Sequence, residues 1–183
     1  MTDDESLRRV LLERSVERGD FVLASGRRST YYIDCRRSTM SAEGMVLIGR
    51  MGWAAIQRAG WQPAAVGGLT MGADPVAYAV AAASFGSGHA VDAFSVRKEA
   101  KSHGTGRLIE GNFKAGAPVV IVEDVITTGD SAQRAIQAIE ESGGNVIGVL
   151  AVVDRQEGGR QALEQRGHPV VALTTVRELG LAP

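Results

Sequence analysis

Val119-Val120-Ile121-Val122 sets four β-branched residues in succession with no polar residue among them. A strand with one solvated face alternates apolar and polar side chains, so an unbroken run needs cover on both faces. A parallel sheet sandwiched between helices meets that condition, and the neighbouring sequence supplies its parts. Strand-like runs "AAVGGL" (64–69), "AVDAFSV" (90–96), "PVVIVED" (118–124), "VIGVLAVVD" (146–154) and "PVVALTTV" (169–176) alternate with helical patterns at 74–86, Ser131–Ser142 and Arg160–Arg166. The expectation is one α/β domain over 1–183 with a doubly wound, mainly parallel sheet. Its ligand crevice should lie beyond the carboxyl ends of the strands, where strand order reverses.

Upstream of this series, Leu7, Val10, Leu11 and Val16 approximate one helical face that stops near Gly19. "FVLASGRRSTYYID" (21–34) reads as two short extended pieces around a Ser-Gly-Arg-Arg-Ser turn. Ser41 suits an N-cap, with Met45, Ile48, Met51, Ala55 and Ile56 on one helical face up to Gly60. Residues 97–112, "RKEAKSHGTGRLIEGN", are polar and glycine-bearing without clear periodicity. A connection of that length inside a compact domain is a lid, a binding loop or a disordered insert.

The 183 residues carry a net charge of −1, which gives no sign of a nucleic-acid-binding surface. The lone Cys35 has no disulfide partner within the chain and no zinc-ligand spacing near it, as in a reducing cytosol. "MTDDESLRRV" is acidic and lacks the features of a signal peptide. The longest uncharged stretches, 59–73 and 75–91, are interrupted by Gly and Pro, so no membrane span is expected. A cytoplasmic protein follows.

The chemistry concentrates where the opening run ends, in "VVIVEDVITTGDSA" (119–132). Glu123 and Asp124 fall at the carboxyl end of the strand, and Val125 and Ile126 lead into a turn of Thr127, Thr128, Gly129, Asp130 and Ser131. Successive backbone N–H groups before a helix, with the positive end of its dipole, form a cradle for phosphate. Neither the Gly-x-x-x-x-Gly-Lys-Ser/Thr loop nor Gly-x-Gly-x-x-Gly is present. Acids repel phosphate but accept sugar hydroxyls, so the two halves together describe a receptor for a ribose 5-phosphate group.

This stretch resembles the phosphoribosyl pyrophosphate (PRPP) motif of the type I phosphoribosyltransferases. Three further segments are similar to one branch of them, the orotate phosphoribosyltransferases. "RKEAKSHG" (97–104) resembles the mobile catalytic loop, "FVLASGRRSTYYID" the orotate-binding segment, and "VVDRQEGG" (152–159) the strand end bearing an orotate-binding arginine. The resemblance implies a type I phosphoribosyltransferase fold with a small N-terminal hood subdomain at about 1–40. It implies transfer of phosphoribosyl from PRPP to orotate, giving orotidine 5′-monophosphate and pyrophosphate in pyrimidine (UMP) biosynthesis. The enzyme would be a homodimer whose loop 97–112 reaches the neighbouring subunit's site.

The same resemblance assigns residues. Lys101, His103 and Asp124 would be catalytic, with Arg97 and Lys98 adding to a cationic arm suited to the pyrophosphate leaving group. Backbone at Tyr32 and Ile33 would read the pyrimidine edge. Glu123 and Asp124 would face ribose hydroxyls, residues 125–131 the 5′-phosphate, and Thr70 and Met71 in "GGLTMGADP" (67–75) the pyrophosphate. Mg²⁺ would be the cofactor, held mainly by substrate oxygens and water, with no protein metal site.

From the residues alone, Arg155 can grip a planar carboxylate or pair with Asp154 or Glu157. The charged loop can be a closing arm or a solvated surface segment. Met71 and Ala24 depart from the family pattern, in which lysines often stand at those places. That departure fits a PRPP-binding regulator of the same fold, while a phosphoribosyltransferase for another nucleobase is a further reading. Arg155 and the N-terminal segment speak for orotate.

Overall fold

The computed structural model describes residues 2–22, 28–99 and 108–181. Helix α1 (Asp3–Arg14) opens on a capping box in which Thr2 accepts from the Glu5 N–H and Glu5 accepts from the Thr2 N–H. It ends at Ser15, earlier than Gly19, because Val16 leaves the helical face and begins strand β1 (Val16–Val22). β1 pairs antiparallel with β2 (Arg28–Ile33) as a two-stranded sheet of its own. The short α2 (Arg36–Thr39) then leads to α3 (Ala42–Arg58), whose N-cap is Ser41, accepting from the Gly44 N–H at 3.1 Å.

The remaining elements alternate: β3 (Ala65–Leu69), α4 (Ala73–Ser84), β4 (Asp92–Val96), β5 (Ile109–Gly111), β6 (Pro118–Ile126), α5 (Asp130–Glu141), β7 (Asn145–Asp154), α6 (Gly159–Gln165) and β8 (Val170–Thr175). They build one sheet in the order β5-β4-β3-β6-β7-β8. Every neighbouring pair is parallel except β4 with β5. The doubly wound α/β expectation therefore holds. β5 lies within the segment read from sequence as loop: a three-residue strand with one apolar residue is too short to show a period. Helix α4 stops at Ser84 rather than Gly86, and β6 runs on through Val125 and Ile126.

The unbroken apolar run of β6 is buried on both sides. Val120 and Val122 belong to a core that includes Leu7 and Leu11 of α1, Ile48 and Ile56 of α3, and Val76 and Val80 of α4. Val119 and Ile121 face a second core with Ala135, Ile136 and Ile139 of α5 and Leu163 of α6. The N-terminal helix is thus part of the main body, whereas the β1–β2 hairpin stands at the carboxyl end of the sheet, where Tyr31 meets Arg155. Among the described residues no helix is long and apolar enough to cross a membrane.

The chain winds outward from β3 to β4 and β5, then returns to β6 on the other side and winds the opposite way. Strand order therefore reverses between β3 and β6. Their pairing ends at Gly67 opposite Ile121, short of both carboxyl termini, so the strands part where a ligand crevice belongs. Because the two cores lie on opposite faces, Ile121→Val and Ile56→Val should each cost about 0.5–1.5 kcal/mol. The double variant should equal their sum to within about 0.5 kcal/mol by urea denaturation; a larger coupling would show that the faces do not pack independently.

Candidate active site

The crevice is built at the ends of β3 and β6. Glu123, carried by β6, is drawn inside with the strand and is only 6% exposed. Its Oε2 is buried without a hydrogen-bond partner. Burial first, and then the charge of Asp124, push the Glu123 carboxyl well above the usual carboxylate range. Asp124 accepts from the Val125 N–H through Oδ1 at 2.9 Å. Burial raises the Asp124 carboxyl too, opposed by that hydrogen bond and by the charge of Arg36.

Glu123 lines a cavity of about 290 Å³ together with residues 125–131. Gly129 turns the chain with φ +86°, in the left-handed region open to glycine, and α5 starts at Asp130. The turn is braced from α6, where the Gly159 N–H donates to the Thr127 carbonyl at 3.0 Å. Asp130, an awkward neighbour for phosphate in the sequence, has a local task. Its Oδ2 accepts from the Thr128 hydroxyl at 2.9 Å, and it lies in the first turn of α5, where the helix dipole favours an acid. Ser131 follows in that same turn.

Across the crevice, Thr70 donates its N–H to the Val96 carbonyl at 2.8 Å, and Met71 is 59% exposed. The Thr70–Met71 peptide is cis. The next residue, Gly72, approaches Asp124 so closely that a Cβ on it would lie 2.7 Å from Oδ1. The loop after β3 and the acids of β6 are therefore one site.

The cradle also joins the arginine at the end of β7. The Arg155 N–H donates to the Ile126 carbonyl at 2.9 Å. The side chain is buried, bonded through Nη2 to Glu157 Oε1 at 2.9 Å, with its guanidinium carbon 5.2 Å from the Tyr31 ring centre. Of the two partners open from sequence, Glu157 is the one engaged; Asp154 instead accepts from the Gln156 N–H at 2.7 Å. Tyr32 is exposed, with its ring 5.8 Å from Phe21, while Ile33 is in the core.

Arg97 and Lys98 are not brought to the Glu123 cavity. They line a separate cavity of about 170 Å³ against α5. Arg97 Nε donates to Glu110 Oε1 at 3.1 Å, and the Lys98 carbonyl accepts from Arg134 Nη2 at 3.1 Å. Lys101 and His103, together with Ala24 and Arg27, lie outside the described residues.

Sequence reading missed Arg36. Its guanidinium holds Asp34 in a fork, Nε to Oδ1 at 2.8 Å and Nη2 to Oδ2 at 3.0 Å, and its charge acts on Asp124. The available signal was an Arg two residues after an Asp at a strand end, a common pattern that singles out nothing. Cys35 between them is buried, and burial pushes its thiol well up.

Residues 42–174 match the phosphoribosyl transferase domain family. Orotate phosphoribosyltransferase of Rhodopirellula baltica is 44% identical over 173 residues, covering 92% of this chain and 90% of the relative. That of Aquifex aeolicus is 44% identical over 182 residues, covering 98% of each. The crystal structure of Mycobacterium tuberculosis orotate phosphoribosyltransferase in complex with PRPP superposes with a TM-score of 0.82 at 40% identity, covering 98% of this chain and all of that one.

The chain belongs to the orotate phosphoribosyltransferase family. Within that family's fold, the Glu123–Asp124 pair, the 125–131 turn and Arg155 are contiguous here around the switch point.

The raised Glu123 carboxyl has a consequence for an orotate phosphoribosyltransferase without its ligands. A carboxyl that binds its proton more tightly when folded stabilises most below its unfolded value, and this contribution falls as pH rises through the folded-state value. Glu123→Gln should therefore melt higher than wild type in ligand-free protein, with the gap growing as pH rises from about 4. Melting curves that stay parallel across pH would show that Glu123 is not the strained group.

Proposed function

We propose that the chain transfers the phosphoribosyl group of PRPP to orotate in the cytoplasm, a step of UMP synthesis that gives orotidine 5′-monophosphate and pyrophosphate. One observation carries the proposal: a turn at the N-terminus of α5, two adjacent acids of which Glu123 is buried, and a buried arginine backed by an aromatic ring share one crevice. Each suits a different part of the two substrates.

The 125–131 turn receives the 5′-phosphate, with backbone N–H groups and the α5 dipole as donors. Glu123 and Asp124 take the ribose hydroxyls. A sugar hydroxyl gives Glu123 Oε2 the partner it lacks, relieving the cost of burying that atom. Arg155 grips the carboxylate that distinguishes orotate from uracil, and the backbone at Tyr32 and Ile33 reads the pyrimidine edge.

As the C–O bond to pyrophosphate breaks, a ring nitrogen of orotate forms the new C–N bond from the opposite face and gives up its N–H proton, which the departing pyrophosphate can accept. No covalent intermediate is required, so catalysis rests on positioning and electrostatics. Lys101 and His103, with Arg97 and Lys98, would neutralise the departing charge from a partner subunit in a homodimer. Among the described residues no group of three or more His, Cys, Asp or Glu could hold a metal. The donors near the crevice, chiefly Asp124 and Glu123, suit a Mg²⁺ that takes most of its ligands from pyrophosphate oxygens and water. When bound, that ion supplies charge neutralisation for the leaving group.

Orotate consumption followed spectrophotometrically should require both PRPP and Mg²⁺; a folded protein that leaves orotate untouched would sink the proposal. Arg155→Ala should raise the KM for orotate by about 30- to 100-fold, the scale of a lost charged hydrogen bond, with far less effect on PRPP. Equal effects on both substrates would remove Arg155 from its role. Lys101→Ala should lower kcat strongly. Mixing it with Arg155→Ala should restore roughly one quarter of wild-type activity, since half of randomly formed dimers hold one intact shared site out of two. No recovery on mixing would refute the shared loop.

A further inference from the structure

Arg155 is already paired in the ligand-free protein. Its bridge to Glu157 joins side chains only 8% and 16% exposed. Its Nε, on the same guanidinium, is buried and has no hydrogen-bond partner. The Tyr31 ring lies against the guanidinium, at 5.2 Å from centroid to Cζ, and limits where it can turn. A guanidinium presents its N–H donors in a rigid plane that matches a carboxylate in pairs. Here an internal carboxylate takes Nη2 while Nε stays idle.

The two partners are not equally fixed. Arg155 is buried and its own N–H is tied to the Ile126 carbonyl at 2.9 Å. Glu157 is the more exposed, on the short connection that follows β7 and precedes α6.

Resting on the reading that Arg155 grips the orotate carboxylate, we propose that Glu157 sets orotate affinity by occupying Arg155 until the substrate carboxylate displaces it. In that exchange the bridge to Glu157 is given up as the bond to the substrate carboxylate forms. Glu157 also keeps a buried arginine from standing uncompensated, a state that is costly to the fold. Removing its charge raises the free state in energy relative to the complex, so substrate binding tightens.

The deciding measurement is the KM for each substrate in Glu157→Gln and Glu157→Asp. Glu157→Gln should lower the KM for orotate by about tenfold and leave that for PRPP unmoved. Glu157→Asp, which keeps the charge, should stay close to wild type. A KM for orotate that is unchanged or raised in Glu157→Gln would overturn the assignment, since a purely supporting residue weakens the site when altered. Should Glu157→Gln fail to fold, the wild-type protein crystallised with orotate decides. Glu157 should then lie beyond about 4 Å from Arg155, and a bridge retained at 2.9 Å would overturn the proposal. Wild type that does not consume orotate overturns both this inference and the functional reading. Wild type that does, with an unmoved orotate KM in the variant, overturns only the role of Glu157.

Discussion

The site depends on β6 being covered on both faces. Once Val119–Val122 are packed between α3 and α4 on one side and α5 on the other, the strand's continuation meets solvent only through the crevice at its carboxyl end. Glu123 is carried inside on the same rigid ladder, opposite Ala151 of β7. A carboxyl there is largely withdrawn from water, and its Oε2 finds no protein donor. The same packing that stabilises the sheet thus leaves an unsatisfied group facing the crevice. Under the proposed function a ribose hydroxyl would satisfy it, which would make the core and the binding site parts of one packing arrangement.

The parting of β3 and β6 supplies the space. Strands that neighbour each other without being consecutive meet where the winding changes direction, and nothing connects their ends across the gap. The loop after β3 and the acid pair of β6 consequently face each other, as the closeness of Gly72 to Asp124 records. On the far side of β6, the cradle is stiffened by two neighbours, the Arg155 N–H on Ile126 and the Gly159 N–H on Thr127. The phosphate turn and the arginine are thereby held in fixed relation without a direct side-chain contact.

Sequence disclosed most where one element carries its own signal. The unbroken run of β6, the alternation after residue 64 and the Thr-Gly turn were legible because burial and helix entry impose local patterns. The end of α1 was not, since Val16 suits a helix face as well as the strand it joins, and only pairing with Ile33 decides between them. β5 was invisible because three residues hold no period. Arg36 escaped for a different reason: its place beside Asp124 depends on α2 packing near the start of α4, a long-range fact with no local trace. Asp130 looked out of place until the Thr128 hydroxyl was seen to bind it.

Charge is arranged by a consistent rule around the crevice. Both arginines near it arrive with an acid of their own, Arg36 with Asp34 and Arg155 with Glu157. Glu123 and Asp124, in contrast, are adjacent acids whose carboxyls are both raised by burial. Among the described residues these two cations are compensated, and burial shifts both acids toward their neutral form. Under the proposed function that shift would lessen the repulsion between two acids and an anionic substrate, because repulsion scales with the charge present, not with the number of carboxyl groups. It also explains how acids and a phosphate cradle coexist on one turn. Burial pushes both carboxyls upward, and the turn would act on a phosphate through backbone dipoles that need no counter-charge.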